Sequence, residues 1–143
     1  MSEGPTQLIF FVSAIIVATA VVAVAANSVY DLATGIGDRG DQIKDEMSTR
    51  IEIINDASNV PNDPVLVYVQ NQGRTIINQN YILVILDGIA VSEYNLTLTG
   101  NTTSYWDPAS ILTISIDMDL SSGDHTVMVT TGNGVSDKLS FRI

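Results

Sequence analysis

The chain is 143 residues long, with a formal net charge of −10 and no cysteine. That length admits one domain plus an N-terminal element, and the missing thiols exclude a disulfide framework and thiolate metal sites. The acidic balance repels phosphate backbones and argues against nucleic acid as a partner. With 15% charged and 45% hydrophobic residues and a positive mean hydropathy, the composition is not that of a disordered chain.

The first element is an uncharged run. No Asp, Glu, Lys, Arg or His falls between Glu3 and Asp31, and the most apolar part extends from Leu8 to Ala26. As a helix rising about 1.5 Å per residue, that part spans about 28 Å, close to a hydrocarbon thickness of roughly 30 Å. A secretory signal has a shorter apolar region, about 7 to 15 residues, behind a basic segment. Here "MSEGPTQ" holds no Lys or Arg, although "VAVAANS" offers small residues that a signal peptidase accepts. Cleavage and a buried helix of a soluble protein are therefore the alternatives to a retained span. The expected order is a tail over 1–7 and a transmembrane helix over 8–28. No N-terminal cation is present for the positive-inside rule to count; the short tail and acidic body point to N-in, C-out. Ala14, Ala18 and Ala25 share one helix face and are candidate close-packing positions. The plain alternative is that alanine is common in membrane helices.

Residues 29–48 read as a helical stalk. Val29, Leu32, Ile36, Ile43 and Met47 recur at spacings near 3.5, one apolar stripe that wants a partner such as the same helix of a neighbouring copy. Gly35, Gly37 and Gly40 each cost roughly 1 kcal/mol against alanine and predict a bend or fraying. "GIGDRG" matches G-x-G-x-x-G, but it follows a helix and lacks the strand that a dinucleotide site requires.

From Thr49 to Ile143 the period changes to two. "RIEII", "VLVYVQN", "YILVIL", "IAVSEY", "NLTLT", "ILTISIDMD", "HTVMVTT" and "SDKLSFRI" are the predicted strands, and "YILVIL" is read as buried on both faces. Asp87-Gly88 predicts a tight hairpin. About seven or eight strands with turns every 8 to 12 residues read as an immunoglobulin-like antiparallel sandwich. The fold class is thus an N-terminal transmembrane α-helix followed by an all-β immunoglobulin-like antiparallel sandwich. Trp106 falls in a loop-like stretch.

No constellation rises to catalysis, and no cofactor or metal is called for. His125 is the lone histidine; its neighbour Asp124 points to the opposite strand face, so a satisfied or exposed strand histidine is expected. Asp117, Asp119 and Asp124 form an acidic rim without the EF-hand pattern. Asn95 and Asn101 begin glycosylation sequons; chance at this composition yields roughly two such triplets, so they are no evidence for export.

The segments "TQLIFFVSAIIVATAVV", "RIEIINDASNVP", "VLVYVQNQGRTII", "LVILDGIAVS", "SYWDPASILTISI" and "LSSGDHTVMVTTGNGVSDKLSFRI" occur in an order and spacing that resemble the archaellum stator proteins of the FlaG (ArlG) family, with FlaF (ArlF) as second choice. Ala109 stands where that family's Trp-x-Pro-Gly pattern carries glycine. The resemblance implies a non-enzymatic structural role: a single-pass protein of the cytoplasmic membrane with its C-terminal domain outside. It would be archaellum-associated, coupling the motor's static part to the surface layer. Implied partners are other copies of itself, a FlaF-like paralogue, a surface-layer protein and membrane lipids. Helix-packing candidates are Ala14, Ala18, Ala25, Leu32, Ile36, Ile43 and Met47. Two alternatives stand beside it. One is a filament-forming archaellin- or pilin-like subunit with bundled helices, weakened because Gly4 lacks the preceding basic residue of the processing site. The other is a surface binding module in which Tyr105 and Trp106 stack on a sugar.

Overall fold

The computed structural model describes residues 3–100 and 104–143. Helix α1 runs from Glu3 to Ser48 without a break and contains no buried residue. Its 46 residues extend about 69 Å at the α-helical rise. Valine and isoleucine are indifferent helix formers in water, but in a dry environment a helix is the only single-segment way to satisfy every backbone N–H and C=O. The hydroxyls follow the same rule: Ser13 donates to the Ile9 carbonyl at 2.8 Å and Thr19 to the Ile16 carbonyl at 2.9 Å. This is the one described helix long and apolar enough to cross a membrane, by length and composition. It passes through Gly35, Gly37 and Gly40 without interruption, and a Cβ at any of the three would meet nothing within 4 Å. Residues 3–7, expected as a tail, are helical. "GIGDRG" therefore lies inside a helix, where its amides are used by the helix itself.

The chain divides into two compact units, Met1–Gln42 and Ile43–Ile143. In the second, the strands are β1 (Ile51–Ile53), β2 (Val65–Asn71), β3 (Ile77–Asn78), β4 (Leu83–Leu86), β5 (Ile89–Ala90), β6 (Asn95–Leu98), β7 (Tyr105–Trp106), β8 (Ile111–Ile116), β9 (Asp124–Thr130) and β10 (Ser136–Arg142), with a 3-10 turn at Gln79–Tyr81. Two four-stranded sheets, β1-β2-β8-β6 and β10-β9-β4-β5, form the layers, and β3 pairs with β7. All pairings are antiparallel, giving the immunoglobulin-like sandwich expected from the sequence.

Period-two alternation sets the core. Val65, Val67 and Val69 of β2 point inward, as do Leu112, Ile114 and Ile116 of β8. From the other sheet Val84, Leu86, Val127, Val129 and Phe141 meet them. Asp87 at φ 50° and Gly88 at φ 82° make the predicted hairpin turn, which needs positive φ at both central positions.

Two expectations are corrected. β4 is buried on one face only: Val84 and Leu86 are inside, while Leu83 is 44% exposed. Its other face looks away from the facing sheet, and Ile85 there is half-buried. Trp106 is not in a loop; it lies in β7 opposite Ile77 and is fully buried. A two-residue ladder is too short to show alternation, which hid both β3 and β7 in the sequence.

Ala109 sits at φ 66°, the left-handed region where glycine is free and a Cβ crowds the following carbonyl. Its amide is held there by the Asn71 carbonyl at 2.8 Å. Relief of about 1–2 kcal/mol of left-handed strain, less about 0.5–1 kcal/mol of added chain entropy, predicts that Ala109→Gly stabilises the sandwich slightly. A raised midpoint of urea unfolding is the expected result.

Candidate functional site

Among the described residues no group of three or more His, Asp or Glu side chains could hold a metal ion, and Asp117, Asp119 and Asp124 form no such cluster. The Asp119 carboxylate instead accepts from the Asn62 amide at 2.9 Å. Three features of the sandwich unit stand out: a fastened helix end, a pinned hairpin and a partly plugged sheet flank.

The helix end comes first. A C-terminal turn leaves carbonyls without intrahelical partners. Here the sandwich supplies them. The Ser48 carbonyl accepts the Arg74 amide at 2.8 Å, and the Arg50 carbonyl accepts the amides of Gln72 and Gly73 at 2.8 and 2.9 Å. Thr49, 5% exposed, donates its hydroxyl to the Asp45 carbonyl at 2.7 Å and accepts the Asn133 amide at 2.7 Å. The turn after β2 lies so close that a Cβ on Gly73 would fall 2.5 Å from the Ser48 oxygen. Asn71 organises that turn. Fully buried, it donates to the carbonyls of Thr75 and Trp106 at 2.9 and 3.1 Å and accepts the Gly73 amide at 3.0 Å. Its side chain thereby uses both donors and an acceptor lone pair.

A pinned hairpin follows. His125 Nδ1–H donates to Asp87 Oδ2 at 2.7 Å, and Nε2–H donates to the Ser121 carbonyl at 2.8 Å. Asp87 Oδ1 accepts the Thr126 amide at 2.8 Å. Two oxygen acceptors on one imidazole favour its doubly protonated form. The hydrogen bond to Asp87, and then that to Ser121, hold the His125 pKa above its ordinary 6.5. The same contact, with the Thr126 amide, holds Asp87 below its ordinary 3.8. Phe141 lies beside the ring at 5.8 Å between centroids. His125 is thus a satisfied strand histidine whose partner is the hairpin aspartate, not its neighbour Asp124.

The β1/β10 flank is partly plugged. The Asp137 carboxylate accepts the outward Ile53 amide at 2.8 Å, and the Arg142 amide donates to the Ala57 carbonyl at 3.3 Å. A buried-side carboxylate at a strand edge removes donors that another chain could pair with. The opposite flank, β5 and β6, carries no such plug among the described residues.

The candidate packing positions are all exposed: Ala14, Ala18 and Ala25, and Leu32, Ile36, Ile43 and Met47, the last at 84%. Asn95 is exposed at the start of edge strand β6, while Asn101 lies outside the described residues. Trp106 donates its Nε1–H to the Ser110 carbonyl at 3.0 Å inside the core, so it offers no face to a sugar; Tyr105 alone is exposed. The sequence reading missed Asn71 and Asn133. For Asn71 the signal was an asparagine beside turn residues, whose amide bonds backbone locally; the Asn133 bond to the Thr49 hydroxyl is non-local and left no such signal.

An apolar N-terminal helix followed by an antiparallel immunoglobulin-like sandwich is the class of protein this fold defines. A model of the archaeal-type flagellin family matches residues 2–141, and the chain belongs to that family. It is 28% identical over 137 residues to a putative flagella-related protein G of Methanococcus voltae, covering 92% of this chain and 91% of that one. It is 25% identical over 143 residues to the protein of the same description from Methanocaldococcus jannaschii, covering 94% and 92%. The archaellum periplasmic stator protein FlaG of Sulfolobus acidocaldarius shares its fold at TM-score 0.50 and 24% identity, over 65% of this chain and 99% of that chain. The chain is therefore archaellum-related.

Two predictions come from this geometry. Gly73→Ala forces backbone apart at the helix end and is expected to cost about 2–3 kcal/mol, whereas Thr49→Ser, which keeps the hydroxyl, stays within about 1 kcal/mol of the parent; urea titration distinguishes them. The second concerns pH. Because the His125 pKa is raised on folding, its contribution is complete below 6.5 and is lost as pH rises through the raised value. Asp87's contribution is complete above 3.8 and is lost as pH falls through the lowered value. The melting deficit of His125→Gln is thus greatest near pH 5 and shrinks in alkaline buffer.

Proposed function

We propose that this chain is a non-enzymatic structural component of the archaellum motor, of stator type, held in the cytoplasmic membrane by residues 8–28 with residues 29–48 as stalk and 49–143 as an extracytoplasmic sandwich. The observation that carries this reading is the fastening at the end of α1. Thr49, Ser48 and Arg50 are bonded to the sandwich turns rather than left as a flexible linker, as a part that transmits force requires. The match to flagella-related protein G over more than nine-tenths of each chain supports the assignment to this machinery.

A rotating filament needs a fixed counterpart, or torque is spent spinning membrane components. The anchor resists extraction because about 19 mostly apolar residues would enter water, at roughly 25 cal/mol per Å². Self-association uses the exposed stripe of Leu32, Ile36, Ile43 and Met47, with Ala14, Ala18 and Ala25 allowing close approach within the bilayer. The sandwich then reaches a FlaF-like paralogue and the surface layer.

A second reading, a filament subunit, is favoured by the family match itself, since archaeal-type flagellins give the family its description. Deleting the gene separates them. Under the stator reading cells keep filaments but lose directed swimming, carbonate washing leaves the protein in the membrane, and protease on whole cells removes the sandwich. Loss of the filament itself, with long regular filaments forming from purified chain, supports the second reading and overturns the first. Normal swimming after deletion overturns both.

A further inference from the structure

The β4–β5 hairpin carries a groove at the end of the sandwich opposite Thr49. Register places it there: Leu83 lies against Thr130, near the helix end, and Leu86 against Val127, away from it. The space is about 360 Å³ and lies between that hairpin and the end of β8. Its floor is Leu86 and Ile116, both buried. Ile89 at 73% and Met118 at 43% exposure stand over the floor as apolar walls. Glu93 and Asp117 supply acid at the rim, and no Lys or Arg lines it. Ile89 is the most exposed large aliphatic residue of the strands.

We propose that this groove is a docking site for a protein segment that presents an apolar side chain flanked by lysine or arginine. The apolar floor and walls gain by burying one bulky side chain, the usual form of an interface anchor. The rim decides what surrounds that anchor. Rim carboxylates attract cationic flanks, raise the association rate and reject acidic segments. A second copy is a poor occupant, because the chain carries −10 overall and would bring the same carboxylates to the contact. Anionic lipid headgroups are repelled for the same reason. The groove is also preformed: Asp87 is bonded to His125 and Thr126, which fixes the hairpin before anything binds. Nothing in this assignment depends on the membrane anchor or on a stator role.

The test uses the full chain in neutral-detergent micelles and three short peptides: acetyl-KRLFKR-amide, its glutamate-flanked counterpart, and a basic peptide with Ser-Gly in place of Leu-Phe. Only the first is expected to bind saturably, with affinity falling as salt rises from roughly 0.05 to 0.5 M. Ile89→Ser and Glu93→Lys, both at exposed positions, should each weaken it about tenfold or more, without change in melting temperature. Ile89→Ser also controls for peptide binding to micelles. Equal binding of all three peptides, or full affinity in Ile89→Ser, overturns the proposal. In cells, a photo-cross-linking residue at position 89 should join to an apolar segment with Lys or Arg neighbours. An adduct with a second copy, with lipid or with an acidic segment overturns it, and so does the absence of any adduct.

Discussion

The structure turns on one constraint: an uncharged helical run of apolar residues. Nothing in α1 is buried, and its stretch from Leu8 to Ala26 is about as long as a bilayer is thick. In water that surface would drive aggregation; among lipid tails or sister helices it is at rest. The rest of the molecule is consistent with such a placement. Hydroxyls within the run bond back to their own helix. Every Asp and Lys of the helix, and its one Arg, falls after residue 30.

The second theme is how a helix stops. Many helices end in a left-handed glycine that caps its own carbonyls. This one ends against another element. The turn after β2 donates amides to carbonyls at Ser48 and Arg50, and Asn71 holds that turn from within the core. Each bond is worth about 0.5–1.5 kcal/mol net, so the set is modest in energy but specific in geometry. Gly73 is required there by distance, not by a positive φ.

Most of the architecture was legible in the sequence because long alternating runs have a strong period. β2, β8, β9 and β10 announce themselves in that way, and Asp87-Gly88 fixes the hairpin between β4 and β5. What stayed hidden was short or non-local. β3 and β7 are two residues each, and their pairing joins positions about thirty apart, so Trp106 looked like loop until its burial was seen. "YILVIL" is apolar throughout, yet only alternate residues are covered; composition cannot tell a two-sided core from an uncovered outer face. The partner of His125 was invisible for a related reason: Asp87 is 38 residues away in sequence and 2.7 Å away in space. Asn133 was missed because its bond to Thr49 spans 84 positions.

The plugged flank has a consequence for sheet pairing. With Asp137 occupying the Ile53 amide and Ala57 taking that of Arg142, one side of the sandwich has these backbone donors already spent. A strand arriving from another chain would find two of its hydrogen-bond partners taken there, which biases any sheet extension away from the β1/β10 side.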